Sequence, residues 1–468
     1  MKKKGFSDVV LGLQYGDEGK ARVVDYLAKN YDIIARFNGG ANAGHTIKNE
    51  KGNISLNQIP SGIFYPDKTL YIGSGCVVNV EKLASEIEKL KKIGIDLKHR
   101  LRISCQASII QPHHILMDEL LGKVIGTTKN GIGPCYSDRA IRMHGKHKAV
   151  VSMGDLHHDK NNSFKTIEEN LKYVRKTYKF SIKNYKERID NLKAAFSKIE
   201  KFIEPDPLYM EKRVEEGASV LFEGAQSVML DVVKGSVPFV TSSNTTAAAA
   251  YVGGDLSQKY HRKTIGVAKA LMSRVGNGPF VSEFGGVLSE KYCMALRNGQ
   301  SAHSKTYEAG KNVNKLLISG SPLETGIALR ILSGEYGTVT QRPRRIGIFD
   351  LVQLAYATKM NGVDELVINK CDLLREYART QTKKIPLVTR YTLHRKQIDY
   401  VPASITAHYN VKPQIEYRES FTEDLVNVRS FNKLPKTLKG LVREVERTTA
   451  CKVVGLGVGP ERKQYISI

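Results

Sequence analysis

SDVVLGLQYGDEGKARVVDYLAKNYDIIARF, residues Ser7–Phe37, is the stretch that decides the fold class. Ser7–Leu13 is a short apolar run that reads as a buried strand, and the glycines of Gly16–Gly19 break it. Lys20–Lys29 then carries Val23, Val24 and Leu27 at helical spacing. Tyr31–Phe37 returns to a strand pattern. A strand, a glycine loop, a helix and a second strand in succession predict an α/β fold on a large, mostly parallel sheet flanked by helices. Further strands are predicted at Thr69–Ile72, Ser219–Phe222, Thr264–Ala268, Glu365–Asn369 and Lys452–Leu456. No internal repeat is evident.

The rest of the composition fits that frame. At 468 residues, 41% hydrophobic and 25% charged, the chain is neither disordered nor collagen-like nor a coiled coil. The 72 Lys and Arg against 47 Asp and Glu give a net charge of +25, which suits anionic partners such as nucleotides, nucleic acid or a membrane surface. The six cysteines, at 76, 105, 135, 293, 371 and 451, form no CxxC or Cys/His metal spacing and read as reduced thiols. Met1–Lys4 is basic, but Val9–Leu13 is too short to follow it as a signal sequence, and no membrane span is expected. The chain reads as one 1–468 domain. Within it, 157–216 is a charged helical insertion, and 285–333 is an extra connection rich in Ser, Gly and Lys. Arg375–Lys396 is basic and reads as a solvated face rather than a nucleic-acid site.

Six motifs carry chemistry. Gly16-Asp17-Glu18-Gly19-Lys20 opens the first helix, where backbone N–H groups and one lysine make a phosphate cradle. It is not a Walker A motif, because Ala21 stands where Ser or Thr would follow the lysine. Asp17 is the odd member: a carboxylate about 4 Å from a phosphate is repelled by about 4 kcal/mol at an effective dielectric of 20, so it calls for a metal ion, a proton to remove, or both. Asn38-Gly39-Gly40-Ala41-Asn42-Ala43-Gly44-His45-Thr46 lets backbone approach a ligand and ends in a titratable imidazole. Ile125–Pro134, followed by Tyr136, Asp138, Arg139 and Arg142, offers hydroxyls, amides and arginines for a second phosphate. Phe222-Glu223-Gly224-Ala225-Gln226 and Pro238–Thr246 place an amide and many hydroxyls after a strand, where ligands gather in open α/β sheets. Gly337–Arg345 holds Arg342, Arg344 and Arg345 around a proline, suited to a dicarboxylate or phosphate. Asn369-Lys370-Cys371-Asp372 follows a strand, and its aspartate can accept the N1–H and 2-amino protons of guanine, which adenine lacks.

In this order the motifs resemble the adenylosuccinate synthetase family, over about Ser7–Ile468. The resemblance is strongest in GDEGK, NGGANAGHT, GTTKNGIGPCYSDRA, FEGAQ, PFVTSSNTT, RVGNGPF, TQRPRRIG, NKCD and GVGPER. It implies a P-loop-like GTP-binding fold and a cytoplasmic homodimer that uses GTP to join L-aspartate to IMP in purine biosynthesis. It also implies a Mg²⁺ cofactor on Asp17 and the Gly44 carbonyl. Asp17 is implied to remove the N1 proton of IMP and His45 to donate to the transferred phosphoryl group, with Lys20 and Gln226 completing the catalytic set.

Carried over by position, GTP is implied to meet Gly16, Asp17, Glu18, Gly19, Lys20, Ala21, Arg22, Arg344, Lys370, Cys371, Asp372, Gly457, Val458 and Gly459. IMP is implied to meet Asp17, Lys20, Asn42, Ala43, Gly44, His45, Thr128, Gln226, Thr241, Val275 and Arg342, with Arg142 supplied from the neighbouring subunit. Aspartate is implied to meet Val339, Thr340, Arg342 and Arg344. Three residues depart from the family pattern: Ala21 for glycine, Tyr15 for tryptophan, and Val339 for threonine. The alternatives are the same chemistry on another 6-oxopurine nucleotide such as dGMP, or a guanine-nucleotide binding module without ligase activity. Membrane and nucleic-acid partners are not expected.

Overall fold

The computed structural model describes residues 4–49, 52–122, 127–179, 184–297, 300–337 and 341–468. The expectation of one 1–468 domain meets a backbone that clusters into two compact units. The first comprises Met1–Val10, Lys20–Gln226 and Thr241–Lys263, and the second Leu11–Gly19, Ser227–Val240 and Thr264–Ile468.

In the first unit the sheet strands are β1 (Phe6–Gly12, through Val10), β2 (Ile33–Arg36), β3 (Thr69–Ile72), β4 (Leu101–Ser104), β5 (Ile203–Glu204) and β6 (Ser219–Glu223). Their order is β5-β4-β3-β2-β6-β1, and every pairing is parallel. Parallel strands are covered on both faces, so they need continuous apolar runs. Val9, Val10, Ile33, Ile34, Val220, Leu221 and Phe222 accordingly have no solvent exposure. The helix α1 (Lys20–Leu27) buries Val23 and Val24 and ends in a tighter turn over Ala28–Asn30. The registers set Val10 beside Glu223, Glu223 beside Arg36, and Arg36 beside Ile72. The loops that leave β6, β2 and β3 therefore start level with one another along one edge of the sheet.

The charged segment 157–216 is largely helical. Lys160–Tyr178 buries Phe164, Ile167, Leu171 and Val174, and Tyr185–Ile199 buries Ile189, Leu192, Phe196 and Ile199. Both sets follow the three-four spacing of a single apolar stripe, which leaves the lysines and glutamates in water. The segment also supplies β5, whose Ile203 pairs with Ile103 of β4. Neither β4 nor β5 was predicted, because each is short and carries polar residues.

The second unit holds β7 (His261–Lys269, from Thr264), β8 (Glu365–Asn369), β9 (Lys452–Gly457) and β10 (Tyr465–Ser467), in that order. The first three run parallel and β10 is antiparallel to β9. Lys269 stands beside Asn369, and Ile368 beside Leu456. The helix Lys436–Thr449 buries Leu438, Leu441, Val442 and Val445. The basic stretch Arg375–Lys396 contains a strand, Lys384–Leu393, that buries Ile385, Leu387, Val388 and Tyr391 and pairs antiparallel with Lys412–Glu419. The connection 285–333 is mostly helical, over Gly286–Met294, Lys305–Ala309, Val313–Ile318 and Pro322–Ser333. All six cysteines are free, and all but Cys105 are buried. Among the described residues no helix is long and apolar enough to cross a membrane.

Candidate functional site

In the first unit the Asn38–His45 loop is tied to the Gly224–Gln226 loop by a reciprocal amide pair. The Ala225 N–H donates to Asn38 Oδ1 at 2.8 Å, and Asn38 Nδ2 donates to the Ala225 carbonyl at 3.2 Å. A Cβ on Gly40 would lie 2.3 Å from the Val77 carbonyl oxygen, so only glycine fits. Asn42 Oδ1 accepts from the Gly40 N–H at 3.2 Å.

His45 begins a short strand and turns its ring onto Glu223, the last residue of β6. Nδ1 lies 2.5 Å from Glu223 Oε1, and both side chains are buried. Ser61 adds a backbone N–H to Glu223 Oε2 at 2.8 Å and its hydroxyl to Oε1 at 2.5 Å. Burial by itself raises the Glu223 carboxyl, but His45, Arg36 and Ser61 outweigh it and hold it down at about 2. Glu223 is thus an anion at neutral pH, and the proton sits on His45 Nδ1. Burial, helped by Arg36 and Lys20, draws the His45 pKa below 6.5 against the pull of Glu223. Nε2 is the nitrogen left for a ligand.

The remaining first-unit candidates divide between buried and open positions. Lys20, Ala21 and Arg22 are buried at the start of α1, whereas Thr128 and Arg142 are exposed. Gln226 and Thr241 are half-buried. Ala21 is helical, so its methyl group sits without strain where the family pattern has glycine. Arg142 follows the helix Ile132–Ile141, with φ +69° and its N–H on the Asp138 carbonyl at 2.8 Å. Asp138 in turn accepts from His113 and His114 on Oδ2, both at 2.9 Å, and from His144 on Oδ1 at 3.1 Å. His113, Asp138 and His144 are also a group able to hold a metal ion, but they share no residue with the expected Asp17 and Gly44 set.

In the second unit the glycine loop is stabilised from inside. The buried Glu18 carboxylate accepts from Gln14 N at 3.3 Å, Gly16 N at 2.8 Å and Ser227 Oγ at 2.6 Å, so this side chain organises the loop. Asn369 Nδ2 donates to the Glu18 carbonyl at 2.5 Å, and Lys269 Nζ to the Asp17 carbonyl at 3.2 Å. The Asp17 side chain is 41% exposed, and its Oδ2 lies 3.1 Å from Arg344 Nε. Tyr15, in the usual tryptophan position, is stacked by the Arg274 guanidinium at 4.4 Å and meets Phe280 edge-on.

The arginine cluster divides by role. Arg345 is buried in an ion pair with Glu283 and also donates to the Gly278 carbonyl at 2.6 Å, so it is structural. Arg344 faces Asp17, and Arg342 Nε donates to the Cys293 carbonyl at 3.3 Å. Val339 and Thr340 lie outside the described residues. Cys371 is buried with Sγ on the Ile368 carbonyl, while Asp372 is half-buried in the following turn. Lys370 pairs with Glu335 and donates to the Ser333 carbonyl at 3.3 Å. The Val458 N–H donates to the Gln464 carbonyl at 2.9 Å and fixes the Gly457–Gly459 turn, and Val275 is half-buried.

Asp17, Arg142, Gln226 and Lys370 have φ values of +58°, +69°, +56° and +60°. A left-handed backbone costs a non-glycine residue roughly 1–2 kcal/mol, and such conformations concentrate at functional sites. The sequence reading missed three buried charged residues that hold the candidates: Glu223, Lys269 and Glu335. The only signal was a charged residue at the end of, or just beyond, an apolar run.

The profile of the adenylosuccinate synthetase family matches residues 9–466. The chain is 44% identical to "Adenylosuccinate synthetase 2" of Cupriavidus pinatubonensis over 463 residues, 99% of this chain and 97% of that one. It is 36% identical to the adenylosuccinate synthetase of Lactobacillus gasseri, over 98% and 97%. The solved structure of fully ligated adenylosuccinate synthetase from Plasmodium falciparum superposes with a TM-score of 0.84 at 29% identity, covering 99% of this chain and all of that one.

Proposed function

The chain belongs to the adenylosuccinate synthetase family and is a ligase that joins L-aspartate to IMP at the expense of GTP in purine nucleotide biosynthesis, and from that premise we propose which residues carry each step. The Asp17 carboxylate removes the N1 proton of IMP. The O6 oxygen then attacks the γ-phosphorus of GTP, the bond to the bridging β–γ oxygen breaks, and GDP leaves. His45, with Nδ1 held by Glu223, donates from Nε2 to a γ-phosphoryl oxygen. The amine of aspartate adds at C6 of 6-phosphoryl-IMP, and phosphate departs with the electrons of the C6–O bond. The amine loses its proton as adenylosuccinate forms. An unactivated C6 oxygen is a poor leaving group, and phosphorylation corrects that. Positioning and fixed charge supply most of the catalysis in such transfers.

Lys20 and the amides of Gly16–Arg22 bind the GTP phosphates, Lys370–Asp372 and Gly457–Gly459 hold guanine, and Arg344 spans GTP and aspartate. Asn42–His45, Thr128, Gln226, Thr241, Val275 and Arg342 hold IMP. Val339 and Thr340 belong to the aspartate loop. The Asp17 carboxylate and the Gly44 carbonyl, hard oxygens on exposed residues, would hold Mg²⁺. When bound, it offsets negative charge on the phosphoryl group. The working form is a cytoplasmic homodimer in which Arg142 serves the IMP phosphate bound by the neighbouring subunit.

The observation that supports this reading most is Asp17: an exposed carboxylate in a glycine loop, left-handed in backbone and paired with an arginine. The test is GTP consumption by the purified protein. It is expected only when IMP and aspartate are both present, and Asp17→Asn is expected to abolish it. Turnover with dGMP in place of IMP, or full activity of Asp17→Asn, would defeat the assignment.

A further inference from the structure

Two buried residues that no assigned role includes, Lys269 and Glu335, lead back to Asp17 from both of its ends. Lys269 has no exposed surface, and a buried ammonium needs an anionic partner. Its Nζ lies 3.3 Å from Glu335 Oε1, donates to Ser273 Oγ, and reaches the Asp17 carbonyl at 3.2 Å. Glu335 is 5% exposed and accepts from Ser273 Oγ on Oε2 at 2.8 Å. Its Oε1 also takes the ammonium of Lys370, the lysine of the Asn369–Asp372 motif. The Glu335 carbonyl accepts the Arg344 N–H at 2.9 Å, and Arg344 Nε faces Asp17 Oδ2 at 3.1 Å.

The path therefore closes. From the Asp17 carbonyl it runs through Lys269 to the Glu335 carboxylate, and from the Glu335 backbone through Arg344 to the Asp17 carboxylate. Asp17 is a non-glycine residue at φ +58°, a conformation that the surrounding contacts must impose. One carboxylate, Glu335, faces both ammonium groups, and Lys370 acts on Lys269 across it. A change at Lys370 is thus felt at Lys269.

We infer that Glu335 and Lys269 are positioning residues, with Glu335 the hub that links the guanine-binding lysine to the placement of the Asp17 carboxylate. This rests on the reading of Asp17 as the base. The contact with Lys370 gives Glu335 a role in GTP binding, and the ring through Asp17 gives it a role in turnover. Among the described residues its side chain bonds to Lys269, Ser273 and Lys370, so its loss is expected to be felt at GTP and in turnover before it is felt in IMP affinity.

Steady-state kinetics of Glu335→Gln, which keeps the shape and removes the charge, test the inference. The expected pattern is a kcat lowered about 30-fold and a KM for GTP raised about fivefold, with KM for IMP within twofold of the parent. Ser273→Ala, which leaves every charge in place, is expected to show the same split with a kcat loss of about fivefold, and it decides the matter alone if Glu335→Gln does not fold. A purely structural role would lower the fraction of active enzyme and leave every KM unchanged, and that outcome overturns the inference. So does parental kcat in folded Glu335→Gln. Asp17→Asn, assayed in parallel, separates the two failures. If it is inactive while Glu335→Gln is normal, only the positioning role falls; if it is fully active, the underlying reading falls.

Discussion

His45 Nδ1 meets Glu223 Oε1 across 2.5 Å, joining the end of the glycine-rich loop to the last residue of a fully buried strand. The carboxylate fixes which ring nitrogen carries the proton and so leaves Nε2 unprotonated in the neutral ring. Glu223→Gln removes that anion and is expected to lower kcat roughly 100-fold, within the range for general acid–base groups, with a smaller effect on KM. Steady-state assays at saturating substrates check this; a kcat within threefold of the parent would separate His45 function from Glu223.

The same pair predicts proton uptake on ligand binding. Burial holds the free His45 below its ordinary 6.5, so the ring is largely neutral at pH 7. A phosphate anion brought beside Nε2 favours the imidazolium and raises that pKa. Titration of the nucleotides by calorimetry, in buffers of differing ionisation enthalpy, is expected to show net uptake near pH 7. The uptake should be lost in His45→Asn.

Acid stability depends in part on His113. Burial and the neighbouring His114 pull its pKa down to about 3, against the pull of Asp138. Between the unfolded value of about 6.5 and this folded value, the unfolded chain binds a proton that the native state refuses. The contribution is therefore complete above pH 6.5 and is lost as pH falls toward 3, at roughly 1.4 kcal/mol per pH unit. Urea denaturation of His113→Gln at pH 7, 5.5 and 4.5 is expected to give a shallower fall than the parent; parallel curves would refute this.

Gly40 is a steric prediction. An added Cβ would stand 2.3 Å from the Val77 carbonyl oxygen and 2.9 Å from Ile132 Cδ1. Gly40→Ala is expected to cost roughly 1–3 kcal/mol of stability as the loop shifts. It should also raise KM for IMP, because Asn42 and His45 lie on the same loop. Chemical denaturation and KM measurements test the two effects separately.

Asp372 is expected to select the base. Its carboxylate matches the N1–H and 2-amino donors of guanine and would be left unpaired by adenine. Asp372→Ala should reduce the preference for GTP over ATP by roughly 10- to 100-fold, mainly by weakening GTP. The ratio of kcat/KM for the two nucleotides gives the answer.

The α/β class, the seven predicted strands and the glycine loops were legible in the sequence because each rests on local pattern. Apolar runs covered on both faces, glycines at turns and a helix start are all properties of neighbouring residues. Asp17, His45, Lys370 and Asp372 stood out for the same reason, as polar residues placed just after buried strands. Tertiary structure alone decided what holds them. Glu223 lies 178 residues from His45, and Glu335 lies 66 from Lys269, so no local window contains either pair. It also turned Glu18 and Arg345 inward while their neighbours Asp17 and Arg344 keep exposed surface, and it gathered three histidines on Asp138. A sequence marks where a charge is needed. Which distant charge answers it is set only when burial removes water and each ionised group must find its partner inside the protein.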